Sequence, residues 1–499
     1  MEFLANIGLG FSTALSVANV LYCFLGALLG TAIGVLPGLG PVATIAMLLP
    51  MTFGLEPVTA LIMLAGIFYG AQYGSSTTAI LINLPGEASS VVTALDGYRL
   101  ARQGRAGTAL AVAALGSFFA GTVAALIIAL FAPVLAAVAL SFGPHEYFSL
   151  MVLGLVASVA IASGSVEKSL AMILLGVLLG LVGQDSQTGV GRLTFGMTDL
   201  LDGVEFVAIA MGLFGLAEIV QNLENPAERN SSVARIGGLR LSRQEFRQMR
   251  GPVLRGTAIG SILGILPGGG ATIGAFAAYM AEKRLSRTPE RFGQGAIEGV
   301  AAPEAANNAG AQTSFIPLLT LGIPANATMA MMTGALILHG VTPGPNIISG
   351  EPTLFWGLIA SMWVGNLMLL VLNLPLIGVW VRMLSVPYRV LFPLIVALSC
   401  IGVYTVSNST FDVMMMVAFG ALGYLFFKLQ CQPTPLLLGL VLGPMLEENL
   451  RRAMLTGRGD PTVFLTRPIS AGLLVLAVIC LAAMILPAVR RTREVAFEE

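Results

Sequence analysis

The chain contains one stretch twice. Residues 26–41 read GALLGTAIGVLPGLGP, and residues 256–271 read GTAIGSILGILPGGGA. At a constant offset of 230, Gly26, Gly30, Gly34, Pro37, Gly38 and Gly40 coincide with Gly256, Gly260, Gly264, Pro267, Gly268 and Gly270. Glycine at every fourth residue leaves one helix face flat, so a second helix can approach closely. Pro-Gly-x-Gly then ends the helix, because proline removes a backbone donor and glycine permits φ > 0. Both copies lie in apolar segments, where a broken helix leaves backbone groups that lipid cannot satisfy. Such a break is tolerated only when it is buried in protein or lines a wet cavity. Interruptions at matching positions in two halves point to the binding site of a secondary transporter. The plainer alternative is a pair of packing helices with a kink, which needs the proline but not the glycines behind it.

The remaining composition suits a membrane. Of 499 residues, 56% are hydrophobic and 10% charged, against about 25% charged in soluble domains. Apolar runs of spanning length recur, and an all-α polytopic protein with about 11–12 spans is expected. The net charge of zero gives no global field for nucleic acid. Cys23, Cys400, Cys431 and Cys480 lack CxxC spacing, so neither a disulfide framework nor a zinc site is indicated. The start, MEFLANIGLGF, has no basic n-region and no small-residue cleavage site, so no removable signal peptide is read. Residues 1–22 are apolar to amphipathic and are not assigned as a span.

Three units are expected: a first transmembrane repeat (1–222), a basic cytoplasmic linker (223–255), and a second repeat with a C-terminal helix (256–499). In the first, residues 58–95 form a further interrupted element, with Tyr73-Gly74-Ser75-Ser76-Thr77-Thr78 and then Asn83-Leu84-Pro85-Gly86. Residues 292–338 repeat it, and LINLPGEASS (81–90) echoes TLGIPANATM (320–329), placing Pro85 on Pro324. The charges around these elements swap. After the first break, 51–57 has no Lys or Arg, whereas Lys283, Arg284, Arg287 and Arg291 follow the second. After the interrupted elements, Arg99, Arg102 and Arg105 follow the first, and 339–353 after the second has no basic side chain. By the positive-inside rule the corresponding connections lie on opposite sides, which makes the halves inverted-topology repeats. Segment 253–281 is flanked on both sides by Arg250, Arg255, Lys283 and Arg284. It is too short for two crossings at about 20 residues each. It is therefore read as a re-entrant hairpin with Pro-Gly-Gly-Gly at its tip, a tilted single span being the alternative. Counting crossings puts Arg451, Arg452 and Arg458 outside, against the rule, unless the 433–447 run does not cross.

Two tips and two interrupted elements related by a pseudo-two-fold would meet near the midplane. Helix N-termini there suit a carboxylate, and freed carbonyls, hydroxyls and amides suit Na⁺. The substrate candidates are Gly38, Gly40, Ser75, Ser76, Thr78, Gly268, Gly270, Ser314 and Asn326. The cation candidates are Thr77, Asn83, Glu304, Asn307, Asn308 and Thr313. For each hydroxyl alone, a bond back to its own helix is the plain explanation; the clustering beside Pro and Gly in both halves favours a site. An acid at membrane depth is a functional candidate by default. Glu304 fits that description, whereas Glu298 closely follows the basic connection and is placed at the interface. His145 and His339 lie at span ends, where surface positions explain them. No HExxH, Walker A or nucleophile motif is present. No cofactor is expected beyond Na⁺ as a candidate coupling ion.

At these residues the chain resembles a known family. GVLPGLGP with YGSSTTAILINLPG, then GILPGGGATIGAF with EAANNAGAQTSFIPLLTLGIPANAT and GVTPGP, is similar to the large membrane subunit of the bacterial tripartite tricarboxylate transporters, the TctA family. The motifs occur in order over essentially the whole length. The resemblance implies a small membrane subunit and a periplasmic solute-binding protein as partners. It also implies import of organic carboxylates such as citrate, driven by Na⁺ or H⁺, at the bacterial inner membrane. The implied fold is similar to other ion-coupled carboxylate transporters with paired hairpins. One departure is Ser75-Ser76, where the family pattern leads one to expect Gly before Ser, a change in the ligand pocket. A self-contained cation exchanger is the alternative; it would want a buried acid pair, of which Glu304 is the plausible member. A scaffold would give no reason for two polar breaks, and an enzyme would need a nucleophile or metal constellation.

Overall fold

The computed structural model describes residues 2–36, 40–161, 165–185, 187–224, 236–266, 270–384 and 388–485, most of them helical. In the first half the principal helices are α1 (Glu2–Ala14), α2 (Val17–Gly34), α3 (Pro41–Leu48), α4 (Pro57–Ile82), α5 (Ser90–Leu100), α6 (Ala106–Ala139), α7 (Pro144–Ile161), α8 (Val166–Gly180) and α9 (Phe206–Glu224). In the second they are α10 (Arg243–Gly264), α11 (Gly270–Leu285), α12 (Glu298–Thr313), α13 (Phe315–Leu321), α14 (Ala327–Leu338), α15 (Pro352–Asn373), α16 (Tyr388–Ser407), α17 (Thr410–Lys428), α18 (Thr434–Thr456) and α19 (Pro468–Ile485). Among the described residues, six helical stretches are long and apolar enough to cross a membrane: α2, α4, α5 with α6, α9, α15 and α17. The chain is a multi-pass membrane protein. Six is fewer than the expected number because the interruptions divide other apolar sequence into shorter helices, such as Pro41–Thr52 and Ala327–Leu338. One departure from an all-helical chain is a small ribbon in the connection after α8, where Gly183–Gln184 pairs antiparallel with Gly191–Arg192.

The glycine stripes do what their spacing requires. A Cβ on Gly26, Gly30 or Gly34 of α2 would stand 2.2, 2.2 and 2.5 Å from the carbonyl oxygens of Met63, Ile67 and Ala71 on α4. In the second half, a Cβ on Gly256, Gly260 or Gly264 of α10 would stand 2.3, 2.2 and 2.4 Å from the carbonyl oxygens of Ala302, Ala306 and Gly310 on α12. Backbone therefore packs on backbone in both seams, with no room for a methyl group. The contacted residues are themselves in register, each pair separated by 239 positions, the separation of Pro85 and Pro324. That register extends to the helix ends. Asn83 (φ +59) ends α4 in the left-handed region, and Gly322 (φ +73) ends α13 in the same way. After its tip, α11 folds back along α10. A Cβ on Gly270 would lie 1.9 Å from the Leu263 carbonyl, and one on Gly274 3.3 Å from Gly260 Cα.

The helix α10 starts inside the basic segment, at a capping box in which Ser242 Oγ accepts the Glu245 N–H at 3.2 Å and Glu245 Oε2 accepts the Ser242 N–H at 2.8 Å. Arg105 after α5 donates to Glu245 at 2.8 Å, and the hydrogen bonds from the Ser242 N–H and the Arg105 guanidinium hold the Glu245 carboxyl down to about 2. A third glycine seam joins the halves. A Cβ on Gly176 or Gly180 of α8 would stand 2.0 and 2.7 Å from the Leu436 and Leu440 carbonyl oxygens, and one on Gly439 of α18 2.4 Å from the Ile173 carbonyl oxygen. The pairing makes α8 and α18 parallel, and α18 runs unbroken through 433–447. Beyond it, Arg451 donates to Asp185 at 3.1 and 2.6 Å and to Glu447 at 2.6 Å, and Arg192 joins Glu447 at 2.6 Å. The Arg451 guanidinium holds the Asp185 carboxyl well below its usual range. Arg452 pairs with Glu448. The two adjacent arginines that conflict with the positive-inside count are thus paired with acids within the fold.

Candidate functional site

Helices α4 and α12 hold equivalent positions in the two seams, and they cross each other antiparallel. Moving up α4, Phe68 faces Phe315 (ring centroids 6.4 Å apart), Gln72 donates to Asn307 Oδ1 at 3.4 Å, and Ser76 donates to Glu304 at 2.9 Å. The partner numbers fall as the α4 numbers rise. At this crossing α4 is buried along nearly its whole length, so its polar run cannot reach water and must find partners in protein.

Glu304 is the centre of the partners found. It is 1% exposed. Thr93 of α5 donates to its Oε1 at 2.6 Å; Ser76 and Ser117 (α6) donate to Oε2 at 2.9 and 3.4 Å. Asn308 donates to Ser117 Oγ at 2.7 Å and back to the Glu304 carbonyl at 3.2 Å. One turn away, Asn307 donates to Glu87 at 2.7 Å, so a second acid, from the Pro85-Gly86 loop, is held by the residue next to Asn308. Among the described residues no Lys or Arg pairs with Glu304 or Glu87. A carboxylate held by neutral hydroxyls, without a fixed counter-charge, can take up a proton or a metal cation, because nothing else balances its charge.

The other expected site residues divide by what they touch. Thr77 bonds to its own helix at Tyr73 O (3.1 Å) but lines the small cavity beside Glu304. Ser75 fastens the Pro85-Gly86 loop: its Oγ accepts the Gly86 N–H at 2.9 Å and lies 2.8 Å from Ser90 Oγ. Thr78, Thr313 and Ser314 donate to carbonyls of their own helices at 2.8, 3.0 and 2.6 Å. Asn326 Oδ1 caps α14 by accepting the Met329 N–H at 2.9 Å. Asn83 is exposed. Gly40 reaches the Pro85-Gly86 loop directly, since a Cβ there would lie 2.8 Å from Gly86 O. Gly270 begins α11 against Leu263, while Gly38 and Gly268 fall outside the described residues. Glu298 lies 3.7 Å from Arg291. His145 is a correction: it is buried at 1% exposure against Phe464, not a surface residue, because the start of α7 is covered by the segment before α19.

Sequence reasoning missed Glu87, Gln72, Thr93 and Ser117. Glu87 had a signal, standing directly behind Pro85-Gly86 in the break. Thr93 and Ser117 had none, since a lone hydroxyl in an apolar helix reads as bonded to its own backbone.

The model of the "Tripartite tricarboxylate transporter TctA family" matches residues 20–438. An Agrobacterium vitis protein described as "Uncharacterized 52.8 kDa protein in TAR-I ttuC' 3'region" is 60% identical over 499 residues, covering 100% of this chain and 99% of the relative. A second from the same organism, "Uncharacterized protein in TAR-II ttuC' 3'region", is 59% identical over 240 residues, which is 48% of this chain and 99% of the relative. No solved structure matches the chain. The match spans both glycine seams, both interrupted elements and the Glu304 cluster, and the chain belongs to the tripartite tricarboxylate transporter TctA family.

Proposed function

We propose that this chain is the large membrane subunit of a tripartite importer of a small organic carboxylate, such as citrate or another di- or tricarboxylate. Entry of a cation, Na⁺ or H⁺, at Glu304 drives the import across the bacterial inner membrane. A small membrane subunit and a periplasmic solute-binding protein are its partners. The observation that carries this reading is the unpaired Glu304 carboxylate, given by one half and enclosed by Ser76, Thr93 and Ser117 of the other. A cation bound there holds the halves in one arrangement, so its entry and release bias their motion.

The same reading makes the halves inverted-topology repeats with re-entrant tips. It is supported by the doubled seams and by the antiparallel crossing of the equivalent helices α4 and α12. Units 1–222 and 256–499 then move about the crossing, with 223–255 as a cytoplasmic linker. The organic acid sits by Gly40 and Gly86, where the first tip meets the loop of the first interrupted element, within reach of the N-terminal N–H groups of α3 and α5. The second tip and Asn326 complete the site from the other half.

A self-contained cation and organic-anion exchanger is the second reading, because Glu87 and Glu304 supply the acid pair that it needs. Uptake of labelled citrate, malate and succinate into vesicles separates the two. With both partner subunits present and an inward cation gradient, one of these acids should accumulate, and omission of the binding protein should abolish accumulation. Accumulation that persists without it favours the exchanger. No accumulation of any of the three would remove the carboxylate-import reading.

A further inference from the structure

The cavity beside Glu304 has walls that its own hydrogen bonds do not satisfy. Its free volume is about 10 Å³, room for one water or one small cation. Tyr73, Ser76, Thr77, Ser117, Glu304 and Asn373 form its polar wall, and apolar side chains of α4 and α6 close the rest. Asn373 is the last residue of α15. Its Nδ2 donates to Leu369 O at 3.0 Å, which leaves Oδ1 as the free end. That oxygen has no hydrogen-bond partner although the residue is 4% exposed, and the Tyr73 hydroxyl, at 5%, has none either. Buried polar atoms are nearly always paired, and an orphan asks for the missing partner.

The chemistry of the wall narrows what that partner is. All the polar atoms on it are oxygens apart from the Asn373 amide nitrogen, which is already used. A proton on Glu304 would supply a single O–H donor, enough for one acceptor on the wall. A bare cation satisfies several lone pairs at once, because hydroxyls that donate elsewhere still have lone pairs to offer. Ser76, Thr77 and Ser117 are in that state, each donating to a carbonyl or carboxylate oxygen. One carboxylate on the wall balances one positive charge. Glu87, held by Asn307, adds negative potential without lining the cavity.

Taking Glu304 as the coupling acid, we propose that this cavity binds one dehydrated Na⁺, with Glu304 and Asn373 Oδ1 as its anchoring ligands. The wall hydroxyls complete the oxygen set. Asn373 lies outside both interrupted elements, so the ion ties α15 to α4 and α12 and its loss frees them.

The test is thermal unfolding of the purified full chain in lipid nanodiscs at fixed pH. NaCl is titrated while KCl holds ionic strength constant. Wild type should show a saturable rise of the melting midpoint with Na⁺ and none with K⁺. Asn373→Ala should move the half-saturating Na⁺ concentration up about tenfold, the effect of one lost ligand. Ser117→Ala should move it in the same direction, and Asn373→Asp, which keeps the oxygen, should retain binding. Equal behaviour of Na⁺ and K⁺ on wild type overturns the proposal whatever the variants do. So does an unchanged half-saturation in Asn373→Ala. If wild-type vesicles then import an acid on a pH gradient alone and Glu304→Gln stops it, this site is wrong while carboxylate import stands.

Discussion

Asp96 on α5 is fully buried, and its Oδ1 accepts the backbone N–H groups of Gly293, Gly295 and Ala296 at 2.9, 2.7 and 2.7 Å. Its Oδ2 accepts the Tyr279 hydroxyl at 3.0 Å. One carboxylate thus fixes the approach to α12, and with it the depth of Glu304, onto the first half. Asp96→Ala would leave donors buried without an acceptor, at a cost of about 1–3 kcal/mol for each one that water cannot reach. We expect a clear fall in the melting midpoint of the purified protein, and a smaller fall for Asp96→Asn, which keeps one acceptor oxygen. Equal midpoints for wild type and Asp96→Ala would mean that water replaces the carboxylate. Asp96 shows why much of the site was hidden at this scale. Glu304, Asn307, Asn308 and Ser76 stand beside prolines and glycines that mark a break, so their position was legible. Asp96, Thr93, Ser117 and Asn373 stand alone in their helices. Only the crossing of those helices gives them partners, and no local pattern records a crossing.

At the scale of the element, glycine carried the most information. The fourfold spacing foretold a flat face, and the structure puts backbone carbonyls of α4 and α12 against it. A single methyl on Gly30 or Gly260 would stand 2.2 Å from a carbonyl oxygen in each case. Because the obstacle is backbone, it cannot turn aside. Overpacking of this kind costs about 1–3 kcal/mol or more. Gly30→Ala and Gly260→Ala should therefore reduce the monodisperse, inserted fraction on size-exclusion, whereas Gly8→Ala, with no atom within 4 Å, should match wild type. Normal yields from both seam variants would show that the helices can separate freely. What spacing did not foretell is the split of the second interrupted element at Ser314. Pro317 has no N–H for the Thr313 carbonyl, so α12 ends there and α13 begins. Position 78, its counterpart in α4, is Thr, and α4 continues to Ile82. The seam of α8 with α18 was equally silent, since its partners are far apart in the chain and share no repeat.

For the whole molecule, the swap of charged connections and the antiparallel crossing of α4 and α12 point to one arrangement. Residues 51–57 and 339–353 should face the periplasm, and 96–107 and 282–292 the cytoplasm. In a background without Cys23, Cys400, Cys431 and Cys480, single cysteines in the first pair should react with a membrane-impermeant maleimide added outside. Those in the second pair should not. Reaction at both 51–57 and 282–292 would place the connections after the two breaks on one side and remove the inversion. The multi-pass class was legible from composition, because lipid demands apolar helices; the join between halves was not, because it depends on buried polar contacts. The central claim is that Glu304 couples a cation to import, and it is tested by initial uptake into vesicles with both partner subunits. The acid is whichever of citrate, malate and succinate wild type accumulates, and the inward cation gradient is held fixed. Glu304→Gln should lower gradient-driven accumulation about a hundredfold, roughly 2.8 kcal/mol at 1.4 kcal/mol per decade, while Glu304→Asp retains part of it. Accumulation by Glu304→Gln at the wild-type level would contradict the account.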